Sequence, residues 1–378
     1  MVEVAEAVPG PEEAKLSKGR EANWPAVLFF IHIHLLSLYG IWLLFYEVKL
    51  MTLLLFVLLT SVGILGMTTG AHRLWAHQAY KASTGLRIAL MLFQTLAGVG
   101  SIYDWVQYHR LHHAHFATDD DPYDYNKGFV YSHFLTRLRK LSPHQEKLKD
   151  SIDMSDLEDD SVVMFQKRLY WVLYTILFLL LPLNAPLEYW DDTVLSSVFV
   201  IGFLRYLIVL HASWMIESAI CVWGLRPGEK SPPDSNTVFI ITKTFWPHYH
   251  YLVPYDYKSG EYGTYGNGFG ALEAMTDRLQ HEVAIPLRIS LSFKPTSTQL
   301  IIKLMKTDFC IFTDCGCSTA FIRIWAALGL ATNLRTVETI TIQKALADAA
   351  RTKKDLKTCI DAAVTKQQLP DEHYLKRE

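Results

Sequence analysis

Four long apolar segments limit what this chain can fold into. They occupy residues 24–46, 50–70, 170–190 and 194–216, and only a few residues separate the members of each pair. A helix needs about 20 mainly apolar residues to cross a bilayer, and only helices and closed barrels satisfy their backbone hydrogen bonds inside hydrocarbon. The sequence therefore predicts an all-α integral membrane protein with four transmembrane helices in two hairpins.

The charged residues between these segments predict how the hairpins are oriented. The connector at 184–193 contains Glu188, Asp191 and Asp192 and no Lys or Arg. The region between the hairpins is basic and contains Arg137, Arg139, Lys140, Lys147, Lys149, Lys167 and Arg168. Because cytosolic loops carry the excess of Lys and Arg, we expect the middle region and both termini to be cytosolic. Residues 1–23 then form a flexible tail, neither a signal nor a transit peptide.

The composition argues against other classes of protein. Half of the 378 residues are hydrophobic and the formal net charge is -2, so nothing indicates a nucleic-acid-binding protein. Five cysteines form no regular framework, which is typical of a chain facing a reducing compartment. Residues 336–369 are polar with apolar residues at helical spacing, and they predict a cytosolic helical tail.

Five histidines form two compact clusters beside the apolar segments. The first is His72-Arg-Leu-Trp-Ala-His77 and the second is His109-Arg-Leu-His112-His113. Residues at i, i+3 and i+4 share a helix face, so two or three imidazoles of the second cluster can converge on a metal. His72 and His77 are five residues apart, about 140° around an ideal helix, which suits a helix end or two metals side by side.

The apolar segment 86–105 lies between these clusters and poses a choice. If it crossed the membrane, the histidines at its two ends would face opposite sides. A shared metal site forbids that arrangement, so we interpret the segment as a re-entrant or interfacial helix packed against the bundle. Nitrogen ligands suit Fe, Cu, Zn or Ni, and the ligand type alone does not choose among them. Asp119, Asp120 and Asp121 either orient the imidazoles or form a solvated acidic turn.

The ordered motifs of the chain resemble those of the animal membrane acyl-CoA desaturases of the stearoyl-CoA, delta-9 type, with an insect-like character. The resemblance covers roughly residues 23–265 and resumes at 318–331. Its motifs are Gly70-Ala-His-Arg-Leu-Trp-Ala-His77, Trp105-x-x-x-His-Arg-x-His-His113, Thr118-Asp-x-Asp-Pro122, Ile152-Asp-Met-Ser-Asp-Leu-Glu158, Val162-Val-Met-Phe-Gln166, Trp223-Gly-x-Arg-Pro227 and Pro254-Tyr-Asp-Tyr257.

The resemblance implies a fold, a cofactor and partners. It implies four spans in the endoplasmic reticulum membrane, with a cytosolic helical cap that holds two irons. It implies desaturation of a saturated fatty acyl-CoA, at the delta-9 position by family default, with O2 and electrons from cytochrome b5. Trp105 and Arg110 are candidate substrate-binding residues, although Gln107 and Tyr108 replace the Arg-Asp pair that usually precedes the second cluster.

The chain departs from the family in its third histidine cluster. The family pattern His-x-x-His-His falls on Pro247, His250 and Tyr251, so one histidine remains in register. An Asn and a His that the family uses fall on Glu217 and Cys221. Of nine expected histidine ligands, six therefore remain in place: His72, His77, His109, His112, His113 and His250.

Three interpretations of this altered site stay open. In the first, desaturase activity is preserved by substitute ligands: Glu217, Cys221, Tyr251 and the neighbouring His248. In the second, the site has decayed and the protein is a non-catalytic homologue that binds acyl-CoA or a partner. In the third, the protein is a membrane di-iron lipid hydroxylase.

Residues 270–316 have no counterpart in the family. Removing the residues between Gly270 and Cys317 joins Gly-Phe-Gly270 to Cys317-Ser-Thr and restores the family spacing. We interpret this segment as a retained intron or gene-model error, with a lineage-specific insertion as the alternative. The predicted organisation is therefore a tail at 1–23, a desaturase domain at 24–269 that ends at 317–335, and a helical tail at 336–378.

Overall fold

The computed structural model describes residues 19–223, 247–261 and 317–365, and these residues are mainly helical with one short pair of strands. In chain order the helices are α1 (Trp24–Tyr46), α2 (Leu50–Ala76), α3 (Thr84–Ala97), α4 (Ile102–Ala114), α5 (Phe129–His133), α6 (Pro143–Asp150), α7 (Ser155–Glu158), α8 (Ser161–Trp190), α9 (Val194–Ser218), α10 (Ile220–Trp223), α11 (Pro247–Leu252), α12 (Cys317–Ala327), α13 (Thr339–Thr352) and α14 (Leu356–Thr365). The strands β1 (Lys81–Ala82) and β2 (Ala331–Thr332) pair antiparallel. The predicted insertion at 270–316 and the motif 223–227, apart from Trp223, lie outside the described residues.

Four helices are long and apolar enough to cross a membrane, which confirms the predicted architecture. They are α1, α2, α8 and α9, and they form two hairpins. The first span begins and ends where the apolar pattern predicts. However, α2 continues beyond residue 70 to Ala76, and α8 begins at Ser161 rather than 170. The α2 extension contains His72 and Arg73, and the α8 extension contains the polar run Gln166-Lys-Arg168, so the apolar pattern stops short of both.

The two hairpins meet at their connectors, residues 47–49 and 191–193. The Lys49 ammonium donates to the carbonyl oxygens of Trp190 and Asp191 at 2.8 and 2.7 Å. The Trp190 indole donates to Thr52 at 2.7 Å, and the Thr52 hydroxyl donates in turn to Asp192. The connector carboxylate therefore has partners from both hairpins at this end of the bundle.

The segment between the first two histidine clusters is two helices rather than one. The axes of α3 and α4 differ by 83° across a short break. Gln166 of α8 holds the start of α4 by accepting from Ile102 N at 2.8 Å, and the Tyr170 hydroxyl accepts from Gly100 N at 3.0 Å. Gly98 at the end of α3 has φ +73°, a conformation that favours glycine. The bend agrees with the re-entrant course predicted for residues 86–105, which stays a prediction.

Residues that follow the predicted insertion pack onto the main core. The Arg73 guanidinium of α2 donates to Thr319 of α12 at 2.8 Å, and β2 pairs with β1 directly after the first histidine cluster. Beyond them, α13 and α14 form a hairpin that packs on α11, with Ile342 and Ala345 buried against Tyr249 and its neighbours. The C-terminal helices therefore cover the helix that carries the third histidine cluster.

Candidate metal centre

The end of α2 brings the two histidines of the first cluster together. The His77 amide donates to the His72 carbonyl, five residues back, at 3.1 Å. This wider turn is of the π type, which is frequent at functional sites. It replaces the separation of about 140° that an ideal helix would impose, and the two ring centroids lie 4.9 Å apart. Both imidazoles therefore reach the same site from a helix end.

Helix α4 divides the second cluster between two sides. Ser101 caps its first turn, with Asp104 N donating to the hydroxyl at 3.1 Å. The rings of His109 and His113, four residues apart, have centroids 4.7 Å apart and both approach the first cluster. His112 points into a neighbouring space, with its ring 6.1 Å from that of His109. Two of the three imidazoles therefore converge with the first cluster.

Five imidazoles form one compact cluster, which includes His250 of α11. The Nε2 atom of His250 lies 3.1 Å from that of His72 and 3.0 Å from that of His113. The Nε2 atoms of His77 and His109 are 2.9 Å apart. Ligand atoms of His72, His77, His109 and His250 all lie within 4.8 Å of one another. Because two nitrogens bound to one ion at about 2.1 Å are at most about 4.2 Å apart, a small contraction fits the cluster to a metal ion.

Carboxylates orient two of the histidines. The Nδ1 atom of His72 lies 3.4 Å from Glu261, whose carboxylate also accepts from Arg73 at 2.6 Å. His112 Nδ1 donates to Asp121 at 2.8 Å. A hydrogen bond at Nδ1 fixes the tautomer and leaves the Nε2 lone pair free to bind a metal. Among the three carboxylates considered at 119–121, Asp121 has this contact.

The other two orienting contacts differ in strength. His250 Nδ1 lies 3.0 Å from the Ser259 hydroxyl, within hydrogen-bonding distance. His109 Nδ1 lies 3.5 Å from Glu217, an electrostatic contact that is too long for a hydrogen bond, and this buried nitrogen has no hydrogen-bond partner. Ser259 and Glu261 were missed by the sequence reasoning. Both residues lie outside the recognised motifs. Glu261 is 189 residues from His72 along the chain, so residue spacing gives no signal for their contact.

Burial favours the neutral, metal-binding form of these rings. Desolvation is the main cause that lowers the pKa of His77, His109, His113 and His250 well below the ordinary value, and neighbouring imidazoles lower it further. A metal ligand must be deprotonated at the coordinating nitrogen. The cluster therefore presents lone pairs, rather than charges, at neutral pH.

Tyr251 stands where the family pattern has its last histidine. Its hydroxyl lies 2.9 Å from His112 Nε2, and because His112 Nδ1 donates to Asp121, the phenol must be the donor. Burial, and then the charges of Asp121 and Glu217, raise the pKa of Tyr251 well above its ordinary value. The phenol therefore stays protonated and donates a hydrogen bond to His112.

The remaining substitute ligands have partners of their own. Glu217 accepts from Arg137 at 2.8 Å. The Cys221 thiol lies 3.4 Å from the Ser132 hydroxyl, in a mainly apolar cluster. His248 is two residues from His250, about 200° around the helix, and its ring centroid lies 6.2 Å from that of Phe116. None of these three belongs to the group of four whose ligand atoms converge.

The two candidate substrate-binding residues hold the site in place. Trp105 is buried and stacks on His109 with ring centroids 4.9 Å apart, and its indole donates to Ser213 at 3.1 Å. Arg110 makes two contacts of 2.7 Å with the carboxylate of Asp156. Their contact with a substrate stays a prediction, and the described contacts are with the protein itself.

Known proteins resemble this chain over most of their length. An acyl-CoA Delta-9 desaturase of Acheta domesticus is 38% identical over 253 residues, which is 66% of this chain and 70% of the relative. An Acyl-CoA Delta-12 desaturase of Tribolium castaneum is 37% identical over 249 residues, 64% of this chain and 69% of the relative. Human stearoyl-CoA desaturase is 36% identical over 245 residues, 64% of this chain and 68% of the relative.

No family model matches the chain. The likeness to the curated relatives is nevertheless high enough, and long enough, to establish common ancestry. It agrees with the four spans and the histidine cluster found in the structure. This multi-pass membrane protein therefore belongs to the acyl-CoA desaturases, a family of oxidoreductases.

Proposed function

We propose that this protein is an iron-dependent desaturase of saturated fatty acyl-CoA, acting at the delta-9 position. The observation that carries the proposal is the cluster of five imidazoles, which come from the end of the membrane span α2, from α4 and from α11. Iron bound by His72, His77, His109, His113 and His250 would supply the oxidising chemistry. In the reaction, O2, two electrons and two protons remove two hydrogens from adjacent methylenes and leave two waters.

The family pattern also makes His112 a ligand and implies a second iron. The substitutes predicted from the sequence for the missing ligands of that second ion are Glu217, Cys221, His248 and Tyr251. Both irons, O2 and the Delta-9 position come to this chain by its likeness to the relatives.

The proposed location is the endoplasmic reticulum membrane, with both termini cytosolic and cytochrome b5 as electron donor. Two contacts support a common side for the termini and the site. Arg20 donates to the Pro122 carbonyl at 2.7 Å and to the Lys140 carbonyl at 2.9 Å, close to the second histidine cluster. The C-terminal helices pack on α11, which carries His250. The basic residues of the middle region favour the cytosol for that side.

We also propose that the desaturase domain runs from 24 to 269 and ends at 317–335. The contact between Arg73 and Thr319 supports this, because residues beyond the gap complete the packing around the first histidine cluster. Sequencing of mature messenger RNA across the junction tests the status of residues 270–316. Reads that join Gly270 to Cys317 are expected, and continuous coverage of the segment would support an insertion instead.

A catalytically impaired homologue that binds acyl-CoA or a partner is the second candidate. The hydrogen bond from Tyr251 to His112 and the ion pair between Glu217 and Arg137 favour it, because both occupy groups that a second ion would need.

Product analysis separates the two candidates. The purified protein, loaded with iron, is supplied with stearoyl-CoA, O2 and reduced cytochrome b5, and its products are analysed by mass spectrometry. A monounsaturated product with its double bond at the delta-9 position is expected, with a His109→Ala variant as the inactive control. Binding of stearoyl-CoA without turnover would support the impaired homologue, and a hydroxylated product would contradict desaturation.

A further inference from the structure

We infer that this chain binds a single metal ion, in the five-imidazole cluster, and that Tyr251, His112 and Asp121 form a hydrogen-bonded chain in place of a second ion's ligands. The inference rests on the proposed function, because it assumes that the cluster binds iron. It differs from the family expectation of two irons.

The five-imidazole cluster is sufficient for one ion by itself. Four of its members have ligand atoms within 4.8 Å of one another. The fifth, His113, has its Nε2 3.0 Å from His250 Nε2. Four nitrogen donors leave two places open on a six-coordinate ion and a fifth from His113 leaves one, so the cluster needs no contribution from His112 or Tyr251. The hydrogen bonds to Glu261 and Ser259 hold two of these rings with Nε2 directed inwards.

His112 is satisfied without a metal. Its Nδ1 donates to Asp121 at 2.8 Å, and its Nε2 accepts from the Tyr251 hydroxyl at 2.9 Å. The lone pair that a second ion would require is therefore already used by a phenolic proton. All three groups are buried, and both hydrogen bonds that join Tyr251, His112 and Asp121 are made, while Asp121 Oδ2 has no hydrogen-bond partner among the described residues.

The space beside His112 is lined by aromatic rings. Phe116 stacks on Tyr251 with ring centroids 3.9 Å apart and an interplanar angle of 18°. Tyr125 also stacks on Phe116, with ring centroids 5.0 Å apart and an interplanar angle of 11°. Rings in van der Waals contact leave no room for an ion between them. Phe116 also lacks a donor atom.

The other candidate donors do not converge there. Glu217 is held by Arg137, and Cys221 lies in an apolar cluster with Tyr125, Ile220 and Tyr251. A carboxylate oxygen that accepts from a guanidinium must give up that contact to bind a metal, so the Arg137 ion pair competes with metal binding by Glu217. Among residues 19–223, 247–261 and 317–365, a second group of three or more converging His, Cys, Asp or Glu donors is not found.

Counting bound metal tests the inference directly. The detergent-purified full chain is loaded anaerobically with ⁵⁷Fe(II), desalted, and measured for iron content and by Mössbauer spectroscopy after oxidation. One iron per chain with the magnetic signature of an isolated high-spin ferric ion is expected. Two irons with an antiferromagnetically coupled spectrum would overturn the inference and leave the proposed function intact. No bound iron would overturn the proposed function and, with it, this inference.

Restoring the family ligands provides an independent test. The restored variant carries four substitutions: Glu217→Asn, Cys221→His, Pro247→His and Tyr251→His. Its iron content should rise from one to two per chain. Tyr251→Phe is the matched control, because it removes the phenolic donor without adding a ligand, and it should stay at one. A control that gains a second iron would contradict the assigned role of the aromatic stack, even if the restored variant fails to fold.

Discussion

At the scale of single residues, sequence spacing predicts the histidines of the cluster but not what orients them. The clusters at 72–77 and 109–113 are recognisable because several metal-ligating side chains fall within one or two helical turns. Glu261 has no such signal, since it meets His72 only through the fold, across 189 residues. The π-type turn at His77 is likewise absent from the apolar pattern, because a widened turn changes the direction of a side chain without changing hydropathy.

Glu261 should matter for metal affinity, whereas Asp121 should not. Glu261→Gln weakens the acceptor that orients His72, and we expect a 10- to 100-fold loss of affinity, as found for such orienting groups. Asp121→Asn alters only the chain through His112 and Tyr251, so affinity should change less than about threefold. Competition with a metal-sensitive dye measures both variants. Equal losses in the two would show that His112 shares the ion.

At the scale of helices, the apolar pattern predicts the spans and misses their polar ends. It gives α1 correctly, because Trp24 and Tyr46 mark the change from apolar to polar sequence. It ends α2 too early, because His72 and Arg73 are polar yet buried inside the protein rather than exposed to water. For the C-terminal region, helical spacing predicts α13, but not that Ile342 and Ala345 pack on α11.

The docking of α13 on α11 should support the metal centre. Ile342 is buried and Ile340, two residues earlier on the same helix, is 55% exposed. Ile342→Glu places a charge in the apolar contact beside Tyr249 and should lower the free energy of unfolding by about 2 kcal/mol or more. Because α11 carries His250, iron retention should fall as well.

Ile340→Glu is the matched control and should keep both properties within error. Thermal unfolding in detergent and iron analysis provide the two measurements. Unchanged iron retention in Ile342→Glu, despite lower stability, would mean that the C-terminal helices do not position His250.

At the scale of the whole molecule, the arrangement of the helices explains how the histidine cluster forms. The spans α1, α2, α8 and α9 form the bundle, and beyond the bend between α3 and α4 the chain returns to the end of α2, where the rings of His77 and His113 have centroids 4.5 Å apart. That return is what lets His72, His77 and His109 lie together. From the sequence, hydropathy alone allows a fifth span over 86–105. The argument against that span is that both histidine clusters must reach one shared metal site.

The proposed topology predicts that both termini are accessible from the cytosol. Epitope tags at the N- and C-termini should both be digested by protease added to sealed microsomes. A lumenal endoplasmic reticulum protein, which should remain intact, is the control for sealing. Protection of one tag alone would imply an odd number of spans and contradict the re-entrant course of α3 and α4.

Two neighbouring histidines give the most direct test of the single-ion site. His113 lies within the five-imidazole cluster and His112 does not, although they are consecutive residues on α4. Iron content is measured for His113→Ala and His112→Ala, each loaded with iron like the unaltered chain. We predict that His113→Ala loses most of its iron, whereas His112→Ala keeps one iron per chain. Loss of iron in His112→Ala, with retention in His113→Ala, would contradict the account.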